Sequence, residues 1–206
     1  MPFSVPANFI DIFKIGDNIN YNLSVLKVLY AAYHNFPDGK KLIKPIIIIN
    51  TSISEALLYD FIENRIRKAN RTETLFSDIL AVIQAKKLDK FEHYIEQARK
   101  YDFFDLKNTN FYEALHFLRK KRNRIHIQND KREEPEDEED VFDEKVLIVS
   151  EKILEKILDT MSLKYPRREE YHKYVRDFEL PWDRHFKAQE IKSQPTLDET
   201  NELGLT

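Results

Sequence analysis

From Leu118 to His126 the chain reads Leu-Arg-Lys-Lys-Arg-Asn-Arg-Ile-His. It follows an apolar series, Phe111, Ala114, Leu115 and Leu118, with the three-to-four spacing of an amphipathic helix. Continued as a helix, the segment stacks Arg119, Arg122 and His126 on one face, because residues three, four and seven apart lie over one another. That face carries two permanent cations and one group that titrates near neutral pH. Cutting a phosphodiester needs those elements: fixed positive charge on the phosphate oxygens and a proton shuttle beside them. Lys120, Lys121 and Arg124 add charge for holding a polyanion, and the same arginines also suit ion pairs with acids on neighbouring elements.

The whole chain is no generic polyanion binder, since its formal net charge is -3. The charge is segregated instead. Arg119 to Arg132 is basic, and Glu133-Glu134-Pro135-Glu136-Asp137-Glu138-Glu139-Asp140 is almost purely acidic. Like charges repel, so the acidic run, within a loop over 132–145, is expected to be solvated. It could also mimic a polyanion and compete with nucleic acid for the basic helix.

Other candidate groups are fewer. His116 sits one turn before Arg119 and reads as a packed or surface histidine. His34 lies near a helix end, where a positive charge is favourable. His93 and His172 stand alone. Glu55 is either a surface acid or a group that faces the motif helix and orients an arginine. No His–Glu pair has helical metal-site spacing with a third ligand, so no metal and no cofactor is expected. There is no Gly-rich phosphate loop. Tyr165, Arg167, Arg168, Tyr171, His172, Tyr174, Arg176, Trp182 and Arg184 mix rings and cations, which suits single-stranded RNA or packing against the bundle with cations on the rim.

These groups need helices to hold them. With 206 residues, 3 Gly and many helix formers, the chain reads as one all-α domain with a real core. The spacing predicts helices over about Asn18–His34, Leu42–Lys68, Leu75–Lys86, Phe91–Tyr101, the motif segment and Val146–Met161, with a last short helix over Tyr171–Phe178. Four to five main helices make a bundle over 18–162. It is flanked by an N-terminal extension (1–17), an aromatic and basic helical appendage (163–187) and a disordered polar tail (188–206). Ile46–Ile49 also has the β-branched character of a strand, but nothing of similar quality is available to pair with it.

Cysteine is absent, which excludes disulfides and thiolate chemistry and fits a reducing compartment. The first residues lack the pattern of a secretory signal. Ile46–Ile49, the longest aliphatic run, is too short to cross a bilayer. The expectation is a cytoplasmic protein with no membrane partner.

The nine-residue segment resembles the signature helix of the HEPN superfamily. These are helical bundles in which an Arg, followed by a polar residue, precedes a His by four to six intervening positions. The helix order between Asn18 and Met161 is also similar. Arg122-Asn123 matches the Arg–polar pair, with three residues before His126. Arg119 has six before His126 but is followed by Lys120. Either arginine can therefore hold the catalytic place; Arg122 with Asn123 is preferred, and Arg119 then serves as a second phosphate contact.

The resemblance implies metal-independent RNA cleavage by attack of the 2′-hydroxyl on its own phosphate. The site would be composite, formed where two motif helices meet in a homodimer. His126 would move the proton, Asn123 would position it or the phosphate, and Arg119 and Arg122 would neutralise developing charge. It also implies a toxin or antiviral defence setting with an antitoxin or other partner protein. Some relatives of that kind carry a Tyr two places after the His, which a partner modifies. Gln128 stands there in this chain, so that form of control is not expected. The runner-up is a non-catalytic HEPN-like module that binds RNA or protein.

Overall fold

The apolar stripe read over Asn18–His34 folds as a longer helix, α1, Phe13–Asn35, which buries Gly16, Ile19, Leu23, Leu26 and Tyr30 at alternating three- and four-residue steps. The structure is a computed structural model and describes residues 2–68, 83, 85–125, 138–172 and 174–186. The Phe36 N–H bonds back to Ala32 O, and a 3-10 turn, Gly39–Leu42, reverses the chain. Only glycine fits at Gly39, because a Cβ there would lie 2.1 Å from the Tyr33 carbonyl oxygen.

Helix α2, Ile43–Tyr59, places Pro45 in its first turn and continues through Asp60–Ile66 as a π-helical segment. Ile46 and Ile47 are fully buried, so the aliphatic run folds as core helix and not as a strand. The stretch Gly39–Ile66 is long and apolar enough to cross a membrane by length and composition, and half of its most apolar window is buried inside the molecule. Packing accounts for that apolarity: α2 is central and touches four helices, α1, α3 (Phe91–Lys100), α4 (Phe111–Asn123) and α6 (Glu144–Lys164). The helix expected over Leu75–Lys86 lies almost wholly outside the described residues.

Between α3 and α4 the connector buries Phe103, Phe104 and Leu106. Asp102 and Asp105 take positive φ there, at 48° and 56°. Asp102 Oδ1 accepts the Leu106 N–H at 2.8 Å, a local side-chain bond that suits Asp to such a turn. Helix α6 is capped by Asp143, whose Oδ1 accepts from Val146 N at 2.8 Å. The described part of the acidic loop expected over 132–145 is therefore largely helical. Residues 138–141 form a helical turn, α5 (Glu138–Val141), Val141 and Phe142 enter the core, and Glu144 opens α6. Positions 126–137 lie outside the described residues.

The two flanks differ most from expectation. Among the described residues no α-helix forms over Tyr171–Phe178. A 3-10 turn, Glu169–Tyr171, is followed by strand β2, Phe178–Leu180, which pairs antiparallel with β1, Phe3–Val5. Phe178 and Leu180 are buried around exposed Glu179, the period-two pattern of a strand too short to stand out in the sequence. The expected N-terminal extension is likewise built in, because Val5, Ala7, Phe9 and Ile10 belong to the core. Helix α1 already begins at Phe13. The molecule is thus mostly helical, closed by one two-stranded ribbon. The tail expected over 188–206 lies outside the described residues.

Candidate functional site

Helix α4 buries Phe111, Tyr112, Leu115 and Leu118, which fix its rotation against α2 and α6. Its other face carries ionisable groups at every third position: Glu113, His116, Arg119 and Arg122. Helix α3 runs antiparallel beside it and answers them in reverse order. Arg99 Nη2 meets Glu113 Oε1 at 2.6 Å, Glu96 Oε1 meets His116 Nε2 at 2.8 Å, and Glu92 Oε2 meets Arg119 Nη1 at 3.3 Å. A three-residue step falls about 60° short of a full turn, so the row drifts around the helix. By Arg122 it has turned off α3 and faces α2, where Glu55 takes the guanidinium in an ion pair.

Sequence reasoning weighed Glu55 as a surface acid or an orienting one. It orients Arg122. Both side chains are about three-quarters buried, at 28% exposure each. Burial holds the Arg122 guanidinium below its ordinary value, and its Nη1 also donates to Asn123 Oδ1 at 3.4 Å. Arg119 is more enclosed, with 17% of its side chain exposed. The Nε atoms of both arginines are buried without a hydrogen-bond partner. Each fork is thus held by one carboxylate and not saturated.

The remaining candidates divide. Lys120 and Asn123 are exposed. Lys121 lies with its Nζ 5.1 Å from the centre of the Phe117 ring. Arg124 is a correction: it was expected to contact RNA, but only 8% of it is exposed. Helix α4 stops at Asn123, and the N–H groups of Arg124 and Ile125 bond three residues back, to Lys121 and Arg122, so the chain turns off the helical path there. The one-face argument therefore reaches Arg119 and Arg122 but is not carried to His126, which lies outside the described residues.

The aromatic and basic segment also divides. Tyr165 and Trp182 are core residues, as packing requires. Tyr171 and Tyr174 are exposed, with the Tyr174 ring centre 4.8 Å from that of Phe13 and 6.4 Å from that of Tyr171. Arg167 lies over Tyr171 at 4.6 Å.

A polar cluster that sequence reasoning missed sits between α1 and α6. Glu151 Oε1 accepts from the Tyr30 hydroxyl, and Glu151 Oε2 meets His185 Nε2 at 2.7 Å. Glu155, fully buried, accepts the backbone N–H groups of His185 and Phe186 at 3.1 Å each. Arg184 forks onto Asp159 at 2.8 and 3.3 Å. The only sequence signal was Glu151, Glu155 and Asp159 at four-residue steps beside the apolar stripe of α6. The cluster straps residues 184–186 onto α6.

Among the described residues no group of three or more His, Asp or Glu side chains is placed to hold a metal ion. Comparison of the chain with family models, curated proteins and solved structures returned no match.

Proposed function

We propose that this protein is a metal-independent endoribonuclease of HEPN-like design. It cleaves RNA by attack of the 2′-hydroxyl at a composite site in a homodimer, in a toxin or antiviral defence setting with a neutralising or triggering partner protein. One observation carries the reading: Arg119 and Arg122, the two motif arginines, are held on one helix by carboxylates from neighbouring helices. Fixed guanidinium groups are what stabilisation of a charged phosphorane requires, since they need no rearrangement when charge develops. His126 supplies the proton transfer, with Arg122, Asn123 and Arg119 at the phosphate and Lys120 and Lys121 along the RNA backbone.

A second reading, a non-catalytic module that binds RNA or protein, is favoured by the same ion pairs, because each arginine already has a counter-charge. Cleavage of labelled single-stranded RNA in EDTA separates the two. The nuclease leaves 2′,3′-cyclic phosphate ends and loses cleavage in His126→Ala while RNA affinity stays. Binding of RNA without cleavage by the folded dimer would overturn the first reading in favour of the second.

A further inference from the structure

Helix α1 has a second face that the core does not use. Ile19, Leu23, Leu26 and Tyr30 point inward and are buried. On the opposite side Tyr21, Val25, Val28 and Ala32 fall within about 60° of one another, at 100° per residue. Tyr21 and Val28 are each 69% exposed, and Val25 and Ala32 are half-buried. Their four-three-four spacing is that of a helix seam packed on another helix. The surroundings are equally unlike a solvated surface, where charged residues normally collect. Charged residues make up 33% of the chain, yet between Asn18 and Asn35 the only permanent charge is Lys27.

We propose that this face is a contact between two copies of the chain, packed as an antiparallel pair of α1 helices about a two-fold axis. The stripe is self-complementary in that arrangement. With the axis between Leu26 and Lys27, Val25 of one copy meets Val28 of the other, Tyr21 meets Ala32, and Asn18 meets Asn35. Each pair occurs twice, as a two-fold contact requires. Valines fill the centre, a large ring faces a methyl group, and amides close both ends, so an apolar middle has a polar rim. Lys27 lies about 100° around the helix from Val28, off the seam. A parallel pair has no such match, because it sets ring against ring at Tyr21 and leaves a gap at Ala32. A helix from a different protein would not require the stripe to match itself end for end. The seam from Asn18 to Asn35 is about 26 Å long. One helix pair of that length covers less than the ~1,600 Å² of a standard interface, so association is expected to depend on concentration in the micromolar range.

This contact does not rest on the nuclease reading, whose composite site brings copies together at α4. Where both contacts form, the assembly holds four copies, and loss of the α1 contact halves it.

Sedimentation of the full chain from about 1 to 100 µM tests the contact. Val28→Glu places a charge at the centre of the seam. The mass of the assembly at the highest concentration should fall by half relative to the wild type. The melting temperature at low concentration should be unchanged, since Val28 is 69% exposed and outside the core. The geometry has its own test. The chain has no cysteine, so an introduced thiol is the only one. Tyr21→Cys and Ala32→Cys chains, mixed and oxidised, should form disulfides with each other and not with themselves. Like positions lie about 16 Å apart in the antiparallel pair, beyond the reach of a disulfide. Equal mass for wild type and Val28→Glu would overturn the contact, as would a wild type that stays a single chain over the whole range. Disulfides of Tyr21→Cys with itself would overturn the antiparallel arrangement. Neither readout involves cleavage, so the outcome is separate from that of the nuclease reading.

Discussion

The carboxylate of Glu55 on α2 closes on the guanidinium of Arg122 on α4, and this contact ties the basic motif to the central helix of the bundle. It also partly cancels the charge that would hold a phosphate. Glu55→Gln should therefore bind single-stranded RNA several-fold more tightly at low salt, in keeping with the ~0.2–1 kcal/mol typical of a partly exposed pair. It should cleave more slowly, because Arg122 is no longer fixed. Arg122→Ala should weaken binding and lower the slope of log affinity against log salt by about one unit. Anisotropy titrations over a salt series, with cleavage rates alongside, check both. Unchanged affinity and cleavage in both variants would remove Arg122 from the site.

The rungs between α3 and α4 make a second prediction about stability. Arg99 and Glu113 are 41% and 52% exposed, so water screens them and their coupling should be only about 0.5 kcal/mol. Reversing one charge should lower the melting temperature slightly, and reversing both should recover it. The recovery should fade in high salt. A double-mutant cycle of thermal melts at two salt concentrations measures this.

Tyr30 and Glu151 make a stronger case, because both are in the core. Burial first, and then the Glu151 charge, push the Tyr30 hydroxyl well above its ordinary value. A group whose folded value is raised stabilises fully below its unfolded value and loses that contribution as pH climbs through the folded one. The window here therefore lies above about pH 10. Tyr30→Phe leaves Glu151 Oε1 without its donor in a buried site and should cost about 1–3 kcal/mol near neutral pH. It should flatten the alkaline loss of stability only in part, since burial also raises Tyr112 and Tyr165. Denaturant melts across the alkaline range test both claims.

What the sequence made legible followed from periodicity. The stripes of α1, α2, α3, α4 and α6 repeat at three and four residues, and each forms where that spacing indicates. The end ribbon was hidden because three-residue strands carry too little alternation, and Phe178 suits equally well the end of the short helix expected over Tyr171–Phe178. The motif arginines were plain by type, but their partners were not. Glu92 and Glu96 lie on a separate helix, and only the antiparallel register of α3 against α4 reveals which acid meets which base. Arg124 looked like its basic neighbours, and nothing in the sequence signalled that the helix stops one residue before it.

Asp60 offers the clearest pH test outside the site. It is 2% exposed, in the π-helical segment, and its Oδ2 accepts the Asp11 N–H at 2.8 Å just before α1 begins. Helix α1 has no side-chain cap of its own, so a carboxylate from a distant element meets its positive end. Burial nevertheless raises the Asp60 carboxyl above its ordinary value, outweighing the hydrogen bonds from Asp11, Asn64 and Ile12 that lower it. With the folded value raised, the contribution of this group is fully present below the ordinary carboxylate value. It is lost as pH climbs, from about pH 4 upward. Asp60→Asn keeps an acceptor and removes the charge. The difference in stability between wild type and variant should therefore shift in favour of the variant as pH rises from about 4 to 6. Asp60→Ala removes the acceptor as well and should cost about 1–2 kcal/mol at neutral pH, as a lost cap does. A stability difference between wild type and Asp60→Asn that stays constant across that range would show that burial does not govern the ionisation of Asp60.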